Sequence, residues 1–264
     1  TGLGVENPDD NNALTATGQF GTLVMLADGT YTYTRTAAAG ETGSDVFTYT
    51  LTDGDGDART ATLTIGVDGG VTITLPPTSG EGSVSVKEAG LPARGGEPEG
   101  SGEAANPAPG TNNSETTSGT FTYTASNGPV DITINGTTIA VDDGVLTGTT
   151  TVTTPKGVLT ITGINTGTQT VSYSYTLTDN TSGDSTNDTF AIQVKDADGD
   201  TASGNLVINI VDDVPIARND TDAIVNSDTS VTGNVITGAS EAGTGVADTV
   251  GADNATVTGV TGLG

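Results

Sequence analysis

Two stretches of the chain superpose without a gap. Asp45-Val-Phe47 through Ile65 matches Asp188-Thr-Phe190 through Ile208 at a constant offset of 143 residues, the distance from Asp53 to Asp196. Phe47 and Phe190, Leu63 and Leu206, and Ile65 and Ile208 coincide, and so do the runs Asp53-Gly-Asp55-Gly-Asp57 and Asp196-Ala-Asp198-Gly-Asp200. Each copy reads as strand, acidic turn, strand. One structural unit has been used twice, which constrains the chain to a repeat architecture built from β-hairpins. The three carboxylates of each turn lie two residues apart and repel one another unless a cation sits among them.

Period-two alternation runs through most of the sequence, and no stripe of helical spacing accompanies it. Gly21–Leu26, the turn Asp28-Gly29 and Thr30–Thr36 make a hairpin pattern. Val46–Thr52 and Thr60–Val67 flank the first triplet, and Thr189–Lys195 and Asn205–Val211 flank the second. Gly157-Val-Leu159 and Tyr173-Ser-Tyr175 echo Gly21-Thr-Leu23 and Tyr31-Thr-Tyr33, so the duplication extends upstream. Further strands are expected at Val71–Leu75, Ser83–Lys87, Gly119–Ala125, Val130–Ile134, Val145–Thr153, Ser230–Ile236 and Ala255–Val260. Short strands at this spacing predict an all-β chain of Ig-like sandwiches.

Charge narrows the partners. Thirty-three acidic residues against 7 basic ones give −26, which disfavours nucleic acid and anionic membrane and makes divalent cations the natural counter-charge. The chain has no cysteine or histidine, so disulfides, thiolate sites and imidazole chemistry are absent. No apolar run approaches the ~20 residues needed to span a bilayer, so membrane insertion is not expected. Thr1–Glu6 carries no secretory leader, and an export signal is expected elsewhere.

The expected organisation has four parts. Residues 1–75 form the C-terminal part of one Ig-like repeat. Residues 76–118 hold six of the ten prolines and read as a Pro/Gly/Glu-rich loop or linker, with a first strand near 83–87. Residues 119–213 form the main body of a second repeat, about 83–213 overall. Residues 214–264 have strand signals but no hairpin or triplet, and read as the N-terminal part of a further repeat, complementary to 1–75 of a neighbouring copy. The tetrapeptide Thr1-Gly-Leu-Gly4 recurs at Thr261-Gly-Leu-Gly264, in line with a frame of about 260 residues cut from an array, or with coincidence in a low-complexity motif.

Several motifs together carry a resemblance. Glu88-Ala-Gly-Leu-Pro92, Arg94-Gly-Gly-Glu-Pro98, Thr117-Ser-Gly-Thr-Phe-Thr-Tyr123, Tyr173-Ser-Tyr-Thr-Leu-Thr-Asp179 and Val211-Asp-Asp-Val-Pro215 resemble the extender or stalk repeats of giant type I-secreted, RTX-type and biofilm-associated bacterial surface adhesins. Ala217-Arg-Asn-Asp220 to Gly264, followed by Thr1 to Val67, is similar to the neighbouring repeat type. The resemblance implies tandem Ig-like, cadherin-like β-sandwiches joined by short acidic linkers, calcium near the junctions, an extracellular place on the bacterial surface and a role in attachment.

The triplets fit calcium on chemical grounds as well. Calcium takes six to eight oxygen ligands and tolerates irregular geometry. The loops are not EF-hands, since the sixth and twelfth positions from Asp53 hold Ala58 and Thr64, and those from Asp196 hold Thr201 and Val207. The expected metal ligands are therefore Asp53, Asp55, Asp57, Asp196, Asp198 and Asp200 in strand-joining loops. To these the acidic junction around Pro215 adds Asp212, Asp213, Asn219 and Asp220, which can chelate across a linker as cadherin linkers do. Asp-Gly turns also form without metal, and acidic clusters are often simply hydrated. Glu88, Asp179, Asp184 and Asp188 are weaker candidates, and Asp142-Asp143-Gly144 reads as a plain turn.

Three functions compete. A calcium-stiffened structural spacer accounts for the repeats and the acidity. A carbohydrate-binding module would need aromatic platforms, yet tryptophan is absent and Gly148–Thr154 reads as a solvated threonine strand. Paired carboxylates can hydrolyse glycosides, but these lie in turns without cleft-forming insertions, so no enzyme is expected. As a variant of the spacer, subunits assemble into a non-covalent filament by strand complementation between neighbouring copies.

Overall fold

The computed structural model describes residues 5–6, 13–38, 41–104, 112–125, 130–139, 141–142, 145–146, 150–197, 199–226 and 228–262. The first unit holds β1 (Val5–Glu6), β2 (Leu14–Thr17), β3 (Gly21–Met25) and β4 (Tyr31–Arg35), hydrogen-bonded in that order. A separate antiparallel hairpin, β5 (Gly43–Thr52) and β6 (Ala58–Val67), follows. The turn between β3 and β4 closes as its residues dictate: Gly29 takes φ +88°, and the Asp28 carboxylate accepts the Thr30 N–H at 2.9 Å.

The second unit contains β7 (Val71–Thr74), β8 (Val84–Lys87), the four-residue helix α1 (Ser101–Ala104), β9 (Thr116–Ala125), β10 (Asp131–Ile134) and β11 (Thr137–Ile139). It continues with the small ladder β12 (Val141–Asp142) and β13 (Val145–Leu146), then β14 (Thr151–Thr153), β15 (Gly157–Asn165), β16 (Thr170–Leu177), β17 (Ser185–Lys195) and β18 (Thr201–Val211). Two five-stranded sheets, β11-β10-β17-β18-β8 and β14-β15-β16-β9-β7, form a β-sandwich. Alternate residues of each strand point inward. Phe190, Val194, Leu206, Ile208, Leu159 and Tyr175 are all fully buried in one shared core. Each such side chain contributes about 1.5–3 kcal/mol through burial.

The duplication seen in the sequence holds in the hydrogen-bond register. Phe47 pairs with Leu63 and Asp45 with Ile65, as Phe190 pairs with Leu206 and Asp188 with Ile208. In the facing sheets Leu23 pairs with Tyr33 and Met25 with Tyr31, matching Leu159 with Tyr175 and Ile161 with Tyr173.

Two boundaries differ from the sequence expectation. Val71–Thr74, grouped above with residues 1–75, pairs antiparallel with β9 and closes an edge of the second sandwich. Leu75 lies over Gly204 of β18, where a Cβ would come within 2.6 Å of its side chain. The stretch 76–118 is also more than a spacer. The strand expected near 83–87 forms as β8, parallel to β18; beyond it the stretch folds Glu88–Gly90 into a 3₁₀ turn, buries Leu91 completely and starts β9 at Thr116 rather than 119.

Residues 212–262 pair little. The described part has only the two-stranded β19 (Gly233–Asn234) and β20 (Ala239–Ser240), plus isolated bridges such as Ile216 with Thr249. The expected strands at 230–236 and 255–260 are otherwise irregular here.

Candidate metal centres

Both duplicated hairpins are tied to the facing sheet by a buried aspartate. Asp45 accepts the N–H groups of Gln19, Phe20 and Gly21 at 2.7–3.1 Å and the Tyr33 hydroxyl at 2.7 Å. Asp188 accepts the Tyr175 hydroxyl at 2.9 Å and the Thr154 hydroxyl at 2.5 Å. Gly18 explains the difference between the two anchors: a Cβ there would sit 2.1 Å from the Asp45 carboxylate. Burial alone would raise Asp45, but the hydrogen bonds from Tyr33 and the three backbone N–H groups outweigh it and hold the carboxyl below its ordinary value. Asp188, a weaker metal candidate in the sequence, serves this structural role.

Each hairpin's far end is its aspartate triplet, and both fold as the same turn. The Asp53 carboxylate accepts the N–H groups of Asp55 and Asp57 at 3.3 and 2.8 Å, and the Asp196 carboxylate accepts those of Gly199 and Asp200 at 3.2 and 2.9 Å. Gly56 and Gly199 take the left-handed φ of +99° and +106° that the turn requires. Asp198 lies outside the described residues. The first triplet brings one oxygen from each of Asp53, Asp55 and Asp57 within 4.8 Å of the others, on a fully exposed loop.

The second triplet is built into a junction. Asp68, just after β6, meets Asp196 and Asp200 with ligand oxygens within 4.8 Å of one another. Continuation of the chain from β6 into β7 carries the linker past the start of β18, and so past the triplet. Asp196 is buried, and its Oδ2 has no hydrogen-bond partner among the described residues.

A third cluster joins the second unit to the segment that follows. β8 and β18 run parallel with Lys87 opposite Val211, so the next residues, Glu88 and Asp212, emerge side by side. Asp253 of the 212–262 segment completes the group within 4.8 Å. Glu88 is fully buried. Its Oε1 accepts the N–H and hydroxyl of Thr181 at 2.6 and 2.8 Å, while Oε2 has no partner among the described residues. Desolvation raises its carboxyl above the ordinary value, and Asp253 and Asp212 push in the same direction, although Thr181 opposes them. Buried carboxylates of this kind are ordinarily paired or coordinate a metal.

The junction ligands expected around Pro215 are divided by the structure. Asp212 enters the Glu88 cluster. Asp213 instead accepts the Ser101 N–H and hydroxyl and the Ala252 N–H, so both its oxygens are engaged. Asp220 accepts the Val246 N–H at 2.7 Å, and neither it nor Asn219 joins a carboxylate cluster among the described residues. Asp179 pairs with Arg94 at 3.3 Å. Asp68 and Asp253 were missed. Asp68 had no signal, since at the 143-residue offset it falls opposite Val211 and not opposite an acidic residue. Asp253 had none, because only the fold brings it to Glu88.

All three clusters offer oxygen donors alone, a set that suits a hard divalent cation and not a soft one. The two junction clusters add a buried, unsatisfied carboxylate oxygen and draw ligands from separate parts of the chain.

Residues 3–69 match the family model of the bacterial cadherin-like domain. The match covers the first unit and less than half of the chain. No curated protein matches the chain. Over those residues the chain is similar to bacterial cadherin-like domains, and the hairpin they contain recurs in the second sandwich.

Proposed function

We propose that the chain is a load-bearing, non-catalytic stretch of a bacterial cell-surface adhesin stalk whose joints are stiffened by calcium. The observation that carries this reading is the Asp68–Asp196–Asp200 cluster. A residue of the linker and two residues of the next sandwich converge there on a carboxylate oxygen that is buried and unsatisfied. Calcium held by Asp68, Asp196 and Asp200 supplies the missing positive charge and fixes the linker against the sandwich. Glu88, Asp212 and Asp253 hold the next joint in the same way. The exposed Asp53–Asp57 triplet binds more weakly, as all its carboxylates come from one loop. A metal that binds only the folded form adds about 2.7 kcal/mol at a hundred times its dissociation constant.

On this reading the rod lies outside the cell and carries a distal binding domain away from the surface, as the sequence resemblance to biofilm-associated, type I-secreted adhesins supports. Differential scanning calorimetry and small-angle scattering test the mechanism. Calcium is expected to raise the melting temperature and narrow the distribution of end-to-end lengths. Identical melting and scattering in calcium and in excess chelator would refute it.

A further inference from the structure

We infer that the outer face of the β14-β15-β16-β9-β7 sheet recognises itself, so that two copies of this chain pack side by side through it. The outward side chains of β9 are Thr116, Ser118, Thr120, Thr122 and Thr124, all exposed. The residues opposite them on β16 and β7 are again serine or threonine, with Ser172 facing Thr120 and Thr72 facing Thr124. On β14 and β15 the outward positions hold threonine, valine, glycine and asparagine. No charged side chain occupies a paired outward position on any of the five strands. The other outer face of the same sandwich differs: Lys195 lies opposite Asp131 there, and β8 adds the exposed Lys87. The hydroxyl pattern also recurs in the first unit, where Thr17, Thr22 and Thr34 make one row across β2, β3 and β4.

Charge selects the occupant. Chains of net charge −26 repel wherever their acidic surfaces meet, and this face lets two of them touch with no charge buried. A hydroxyl both donates and accepts, so a face of hydroxyls complements itself, as a face of carboxylates cannot. Phe121, Tyr123, Tyr173 and Tyr175 all turn into the core, which leaves no ring on the outside for a sugar to stack on. The five strands run for 3–10 residues. At about 4.8 Å between strands and about 3.3 Å per residue, they present roughly 500–600 Å² on each copy. Specific interfaces start near 600 Å² per partner, so the pairing is expected to be weak and reversible. Because both copies use the same patch, the contact is isologous and closes as a dimer.

The contact involves no metal, and the stalk reading supplies only its setting, in which neighbouring stalks lie side by side. Sedimentation velocity on the full chain in chelator, at about 20 mM and about 500 mM NaCl, tests it. Wild type is expected to form a reversible dimer that tightens at least about tenfold in the higher salt, because screening removes repulsion and no ion pair holds the contact. Thr120→Glu puts a charge within the face and is expected to weaken pairing at least about tenfold. Gln193→Glu makes the same change of charge on the exposed face of the other sheet and is expected to pair like wild type. Circular dichroism checks each fold, and Ser118→Glu takes the place of Thr120→Glu if that variant unfolds. A wild-type chain that stays monomeric up to about 1 mM in the higher salt, or equal weakening by the two glutamates, would overturn the inference. So would a monomeric wild type that neutral glucan beads retard and Thr120→Glu releases, since the face would then belong to a polysaccharide. None of these outcomes bears on calcium-dependent melting of the joints, and chelator-insensitive melting would leave this face standing.

Discussion

The β5–β6 and β17–β18 hairpins share sequence pattern, register and turn, yet among the described residues only the second is flanked by further strands on both edges. In the second sandwich β8, β10 and β11 extend the hairpin's sheet and β7 and β9 extend the facing one, and Phe190, Val194, Leu206 and Ile208 are sealed in the core. In the first unit Phe47 is buried against Tyr33, but the inner face opens progressively toward Leu51. The same local code therefore has different energetic weight in the two places. Hydrogen-bond register is set within the hairpin, whereas stability comes from what lies across it.

The largest test of that contrast is truncation of matched side chains. Phe190→Ala is expected to cost about 3–5 kcal/mol, the usual range for a fully buried aromatic. Leu51→Ala, measured by urea unfolding of the dilute chain, is expected to fall within about 0.5 kcal/mol of wild type, as surface changes do. A comparable loss at both positions would show that the first unit is covered in solution even at low concentration.

The next effect separates the anchors from the clusters. Asp188→Ala leaves the buried Tyr175 hydroxyl without its acceptor and is expected to cost about 1–3 kcal/mol irrespective of calcium. Glu88→Gln acts in opposite directions in the two buffers. In chelator it removes repulsion with Asp212 and Asp253, roughly 1 kcal/mol for each charge pair near 4 Å in water, so the chain gains stability. In calcium it removes a ligand, so the chain loses stability. A Glu88→Gln change with one sign in both buffers would make the cluster an ordinary buried polar site.

Much of this organisation was legible in the sequence because the duplicated unit states its pairing twice. Period-two alternation around Asp53 and Asp196 fixed the hairpins and their turns, and Asp28-Gly29 fixed another. What remained hidden depends on long-range contacts. Val71–Thr74 reads like any other strand, and only its ladder with β9 assigns it to the second sandwich. The proline-rich stretch reads as a linker, yet Leu91 and Glu88 are buried by elements distant in sequence. Of the metal ligands, the Asp53 triplet is contiguous and visible at once. The junction clusters gather Asp68 or Asp253 across segment boundaries, which no local pattern records.

Acid and base probe the first unit from another side. Asp45 titrates below its ordinary value, so its contribution is present above the unfolded carboxyl pKa of about 3.9 and is lost as the pH falls through the folded value. Tyr33, pushed up to about 12 by burial and by Asp45, contributes below the unfolded phenol pKa of about 10 and loses that contribution as the pH rises through 12. Tyrosine absorbance and near-ultraviolet circular dichroism of the chelated chain are expected to change at both limits. Asp45→Asn should abolish the acid-side step attributable to this anchor. An unaltered acid profile in that variant would remove Asp45 from its assigned role.

The smallest effect contrasts the triplets themselves. Asp55 lies on an exposed loop with ligands from a single turn, and Asp55→Asn is expected to change stability by no more than about 0.5 kcal/mol in either buffer. Asp200 shares its cluster with Asp68 and the buried Asp196, so Asp200→Asn removes a charge from a site that spans the junction. Isothermal titration with calcium is expected to show that Asp200→Asn loses the tighter class of sites while Asp55→Asn retains it. If Asp55→Asn instead removes the tighter class, the buried oxygen of Asp196 is not what selects the metal, and the local carboxylate triplet alone sets the affinity.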